Sequence, residues 1–258
     1  MAEILARHRG LVWLTGRETA RVLKLWTQTI VAPVLSSFLF ILVFGVSLSG
    51  RIRQVDGIDY DVFIVPGLIT MAMVQAAYSN NASSVFQARL DGYLHDVLAA
   101  PMRNWEVNLG LSLGGAVRAL AIGVALFGLA APFTGVGVRE PLELILAVGL
   151  GLVLFSSLGV VVGIYAHTFD HHTFVNNIVI LPLTFLGGVF YSISILPSPW
   201  YEVSHANPLF YMVSTVRYGF LGASDVSVLL AFGVTAVIAA GLVAWAQLLF
   251  SSGHKLKP

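Results

Sequence analysis

Six runs of this chain carry almost no charge, and they limit its fold more than any other feature: roughly residues 27–49, 62–86, 107–131, 142–165, 173–193 and 228–250. Each is long enough for the ~20 residues that a helix needs to cross the hydrocarbon of a bilayer. A backbone in lipid finds no water for its N–H and C=O groups, so such runs dictate helices, which satisfy those groups internally. Composition agrees. Charged residues are 10% of the chain and hydrophobic ones 57%, with a mean hydropathy of +0.85, whereas about 25% charged is usual for soluble domains. The sequence predicts an all-α integral membrane protein with six transmembrane helices and no separate soluble domain.

An even number of crossings puts both ends on one side. Arg7, Arg9, Arg17, Arg21 and Lys24 precede the first run, Arg89 and Arg103 lie in the second connection, and Lys255 and Lys257 end the chain. The opposite side holds Arg51, Arg53, Arg139 and Arg217. This excess of basic residues places the N- and C-termini in the cytoplasm. Glu3 and the basic residues hold the first apolar run off until about residue 25, and that run outlasts a signal peptide's apolar core, so it is expected to remain as an anchor. A net charge of +1 without a dense Lys/Arg block gives no support to nucleic-acid binding. Zero cysteines exclude disulfides and thiolate metal sites.

Residues 1–26 read as an amphipathic interfacial helix: Arg17, Arg21 and Lys24 share a face turned to the headgroups, with Val22, Leu23 and Trp26 on the other. The loop after the first run sets Arg51 and Arg53 against Asp56, Asp59 and Asp61, a solvated mixture. The second run turns polar at its far end, through Gln75, Tyr78, Ser79, Asn80, Asn81, Ser83 and Ser84, which in hydrocarbon must find partners. They are either packing glue or a strip facing a substrate path or a second copy. Residues 89–103 alternate charges with Leu90, Tyr93, Leu94, Val97 and Leu98 and stop at Pro101, as a short surface helix would. Arg118 stands inside the third run, where an unpaired arginine costs roughly 2.5–3.5 kcal/mol on insertion scales. It is expected either to be tied to backbone carbonyls or to Asn80 and Asn81, or to sit beside an anionic substrate. Gly110, Gly114 and Gly115 offer a face for close helix packing. The formal G-x-S-x-G around Ser112 lacks the strand-to-helix setting of a nucleophile elbow. His167, Asp170, His171 and His172 read as a polar cytoplasmic turn, with a zinc or iron site as the alternative.

Residues 181–222, LPLTFLGGVFYSISILPSPWYEVSHANPLFYMVSTVRYGFLG, fit neither a plain spanning helix nor a free loop. Gly187-Gly188, Pro197, Pro199 and Pro208 interrupt the helix, while the aromatic load is too apolar for water, so residues 194–222 read as a re-entrant helical segment between the fifth and sixth spans. The runs PLTFLGGVFYSISILPSPW and NPLFYMVSTVRYGFLG resemble the C-terminal signature of the ABC-2 type permeases, membrane subunits of ATP-driven exporters. The resemblance implies a transmembrane domain over 27–258 in a bacterial plasma (inner) membrane, a second permease copy forming a homodimer, and two ABC ATPase subunits that bind ATP and Mg. It also implies that residues 89–103 hold the coupling helix, with Leu94, Val97, Leu98 and Met102 as contacts to the ATPase. The path is expected between the second and fifth spans of two copies, with Asn80, Asn81, Ser84, Phe185 and Val189 as lining candidates. An outer lid would carry Trp200, Tyr211 and Tyr218 as interfacial anchors and Arg217 near the external surface, with Glu202 expected as its opposite charge.

No power source is visible in the chain itself. A P-loop needs a lysine after a glycine-rich turn, and Lys24, Lys255 and Lys257 have none. The interiors of the six runs hold no Asp or Glu for proton coupling, Glu143 standing at the rim of the fourth. The expected function is therefore non-enzymatic: a permease subunit moving an amphipathic, lipid-linked or drug-like molecule outward on a partner's ATP. The alternatives are a passive channel or facilitator, and a membrane-embedded metalloenzyme using His167, His171 and His172. No internal repeat points to a secondary transporter.

Overall fold

A computed structural model describes residues 8–49, 53–253 and 255–256. Glu3, Arg7, Arg51 and Lys257, used above, lie outside the described residues. Helix α1 (Arg9–Lys24) leads through a π turn, Thr27–Val31, into α2 (Ala32–Ser49). A two-residue hairpin follows, β1 (Gln54–Val55) on β2 (Ile58–Asp59), and then the long α3 (Tyr60–Leu90). The short α4 (Leu94–Ala99) precedes α5 (Asn104–Thr134) and α6 (Pro141–Tyr165). Next come α7 (Phe169–Phe174), a π segment Val175–Ile180 and α8 (Leu181–Leu186), then a 3-10 turn, α9 (Trp200–His205), α10 (Pro208–Leu221) and α11 (Val228–Ser252).

Five helical stretches among the described residues are long and apolar enough to cross a membrane: the one beginning at Thr27, then α3, α5, α6 and α11. The run predicted at 173–193 takes another form. It is a continuous helical rod from Phe169 to Leu186, widened by its π segment and ended by Gly187-Gly188, where Gly188 has a φ of 78°. At 1.5 Å per residue it is about 27 Å long, a little under a ~30 Å hydrocarbon core. Asp170, Asn176 and Asn177 hold down its hydropathy.

Helix α3 is the axis of the molecule, packed by α2, α5, α6 and α10. Its neighbours approach closely because they present glycine. A Cβ on Gly159 of α6 would lie 2.5 Å from the Tyr78 carbonyl, and one on Gly163 2.7 Å from that of Ala82, so the two backbones nearly touch. The expected packing face of α5 is split between two partners: Gly115 meets Asn81 and Ala77 of α3, while Gly110 and Gly114 receive Leu14 and Glu18 of α1. Two apolar clusters result. The larger fills the space around α3, and the smaller joins Leu14, Val85, Leu94, Leu111, Ile164 and Phe250 at the end where α1 and α4 sit. Arg89, at the C-terminal end of α3, donates from Nη1 to the Gly163, Ile164 and Ala166 carbonyls. A cation there satisfies the last carbonyls of α6 and complements its dipole.

Candidate functional site

A cavity of about 380 Å3 opens between α2, α3, α5 and the Phe169–Leu186 rod. Its wall is more polar than its depth in the spans leads one to expect: Gln28, Ser36, Ser37, Gln75, Ser79, Arg118 and Asn176, beside Phe40 and Met71. Arg118 donates from Nε to the Thr29 carbonyl at 2.9 Å. That carbonyl is accessible because Thr29 lies in the π turn and Pro33, four residues on, has no N–H to give it. Arg118 is thus tied to a backbone carbonyl, the first of the two expected arrangements, but on the first span and not to Asn80 or Asn81.

None of the five lining candidates borders this cavity. Asn81 is buried and donates from Nδ2 to the Ser112 and Ser156 carbonyls at 3.4 and 3.2 Å, bonding α3 to both α5 and α6. Asn80 donates to Asn81 Oδ1, and Ser84 donates to Glu18 Oε2 at 2.7 Å. Val189 is buried against Gly67. Phe185 is the exposed member, stacked on Phe190. The polar end of α3 is therefore cross-linked within the chain, while Gln75 and Ser79 of the same strip face the cavity.

At the α1 and α4 end, Leu14, Glu18 and Val22 form a buried stripe at a spacing of four. This corrects the expected faces of α1. Val22 turns inward, Leu23 and Trp26 stay exposed, and Arg17 and Arg21 reach back to Glu18 at 2.8 and 3.0 Å. Glu18 was not among the predicted residues; its place in the i, i+4 stripe with Leu14 and Val22 was the available signal. Arg17 also lies over the Tyr93 ring at 4.8 Å. Burial raises the Tyr93 phenol above its ordinary range, and the Arg17 charge pulls it back. Beside this cluster a groove of about 750 Å3 runs between α1 and α4, lined by Gly10, Trp13, Arg17, Asp96, Val97 and Met102. Of the four coupling candidates, Leu94 is buried in the chain's own core, whereas Val97, Leu98 and Met102 keep part of their surface. Trp13 is 79% exposed.

On the far side, Arg217 is fully buried within the protein. It donates to Asp225 Oδ2 at 2.7 Å and to the Gly188 carbonyl at 2.5 Å, over the Phe63 ring. Its partner is Asp225 and not Glu202, because α10 ends at the left-handed Gly222 and the chain doubles back. Trp200 is exposed, while Tyr211 and Tyr218 are half-buried, Tyr211 donating to the His205 carbonyl. In the histidine turn, the His167 and His171 rings lie 6.2 Å apart, but His172 is buried between Phe86 and Phe169. Among the described residues no three His, Asp or Glu side chains gather around a common point.

Long apolar helices packed about a buried axis define an α-helical integral membrane protein. The chain belongs to the ABC-2 type transporter family, whose profile matches residues 9–221. It is 39% identical over 236 residues to the inner membrane transport permease YadH of Escherichia coli (strain K12), covering 91% of each chain. It is 25% identical over 238 residues to nodulation protein J of Rhizobium leguminosarum bv. viciae, covering 88% of this chain and 89% of that one. Family membership makes it a membrane subunit of an ABC transporter and a transporter component in preference to an enzyme.

Proposed function

We propose that the chain is the permease subunit of an ATP-driven exporter in a bacterial inner membrane, moving an amphipathic, lipid-linked or drug-like molecule outward. Two copies pair, and two separate ATPase subunits bind and hydrolyse ATP with Mg. The Phe169–Leu186 rod is the fifth of six crossings, α9 and α10 form the re-entrant lid, and both termini are cytoplasmic. The observation that carries this reading is the polar cavity beside Arg118, set among spans whose interiors offer no acid to couple a proton gradient. A polar wall of this kind, in a sequence that holds no P-loop, supports an external motor docked on the groove between α1 and α4. There Trp13, Val97, Leu98 and Met102 are the contacts we assign to the ATPase.

Co-expression tests it. The full chain, produced with the P-loop protein of a neighbouring reading frame and purified in detergent, is expected to retain that ATPase in a 2:2 complex. A permease that elutes without the ATPase, or that moves solute uphill alone in liposomes, would overturn the reading.

A further inference from the structure

Arg118 carries its charge into the cavity with one backbone bond to hold it. Among the described residues the ion pairs are those of Glu18, Glu106 and Arg217, and none includes Arg118. Two further polar atoms of the cavity-lining residues are buried and unbonded: Gln75 Nε2, a donor, and Asn176 Oδ1, an acceptor. These side chains come from three different elements, α5, α3 and the Phe169–Leu186 rod. In a lipid surrounding, a cation without a counter-charge and a donor and an acceptor without partners are each unfavourable, and a polar ligand that meets all three relieves them together. Phe40 and Met71 line the same space with apolar surface.

We propose that this cavity selects an amphiphile with an anionic phosphate-type head, Arg118 being its charge partner. Oxygens of such a head accept from Arg118 and Gln75, and a hydroxyl or amide on the same head donates to Asn176. The inference rests on the permease reading only in taking this ligand to be the transported molecule.

Equilibrium binding to the full-length chain in nanodiscs of a zwitterionic lipid tests it, with dodecyl phosphate, dodecylphosphocholine and inorganic phosphate as probes. Wild type is expected to bind dodecyl phosphate about tenfold more tightly than dodecylphosphocholine, as a charge-assisted contact provides. Arg118→Gln should remove that preference. Arg118→Lys, which keeps the charge and loses the planar fork, should weaken it without removing it, and this variant answers the question if Arg118→Gln does not fold. Absence of a head preference in wild type, or a preference unchanged in the variants, overturns the proposal. Displacement of dodecyl phosphate by inorganic phosphate at equal concentration would show a free-anion site and overturn the assignment to an amphiphile. The ATPase takes no part in this assay, so a permease that fails to retain an ATPase leaves the result standing, and loss of head selectivity leaves the complex standing.

Discussion

Asp225 and Glu18 are both enclosed carboxylates, yet removing their arginine partners should have unequal effects. The Arg217–Asp225 pair is enclosed on both sides, with side-chain exposures of 2% and 9%. Arg217→Met strands the Asp225 carboxylate and the Gly188 carbonyl, and breaking an enclosed pair costs about 3–5 kcal/mol. Glu18 is enclosed but its arginines are not, since Arg17 is 43% exposed and Arg21 34%. Arg17→Met should therefore change stability by only about 0–1 kcal/mol. Glu18→Gln, which leaves an amide facing Arg21 and Ser84, should fall between them at about 1–3 kcal/mol. Melts of the purified chain in one detergent check the order, and equal losses for Arg17→Met and Arg217→Met would contradict it. Arg118 was legible in the sequence because one arginine in an apolar run has few ways to be accommodated. Glu18 was marked only by its place in the stripe with Leu14 and Val22, since its bond to Ser84 lies 66 residues away, whereas Asp225 stands eight residues from Arg217 and was there to be read.

The spanning helices were legible to within a turn or so, since an uncharged run of that length in lipid has one outcome. What hydropathy does not register is how closely two helices approach. Gly159 and Gly163 lie flat on α3 for a reason that only the facing backbone reveals, whereas Gly128 and Gly149 meet nothing within 4 Å. Gly159→Val would drive a side chain into the Tyr78 carbonyl, which cannot yield, and should lower stability by about 1–3 kcal/mol. Gly149→Ala, with open space and a better helix former, should be neutral or stabilising by about 0.5–1 kcal/mol. Thermal unfolding of the two variants separates packing from propensity, and equal effects would refute the close approach. Asp56-Gly57 is a readable hairpin signal within the polar loop after the first run: both residues have positive φ, 50° and 77°, as a tight two-residue turn requires. The fifth run was harder, because Asn176, Asn177 and Pro182 give it neither a clean span nor a clean break.

On the function proposed above, transport depends on whether force delivered at the α1 and α4 end reaches the cavity beside Arg118. Packed side chains join the two. α4 is seated by Leu94 in the same apolar cluster as Leu14, Val85 and Leu111, so a push on its exposed side is borne by α1, α3 and α5 together. Glu18 then ties α1 to Ser84 of α3, on the helix that also carries Gln75 and Ser79 of the cavity wall. Leu98→Asp places a charge on the half-buried side of α4 that we assign to the ATPase. It should leave the permease inserted while lowering transport per ATP about tenfold, within the usual range of coupling between two sites. Asp96→Lys, at an exposed position on the same groove, should act in the same direction without disturbing the core. The measurement is substrate moved per phosphate released by the reconstituted complex, with melting temperature as the control for folding. If both variants retain full coupling at unchanged stability, the motor does not bear on α4, and the Glu18–Ser84 bond links a surface helix to the bundle without transmitting work.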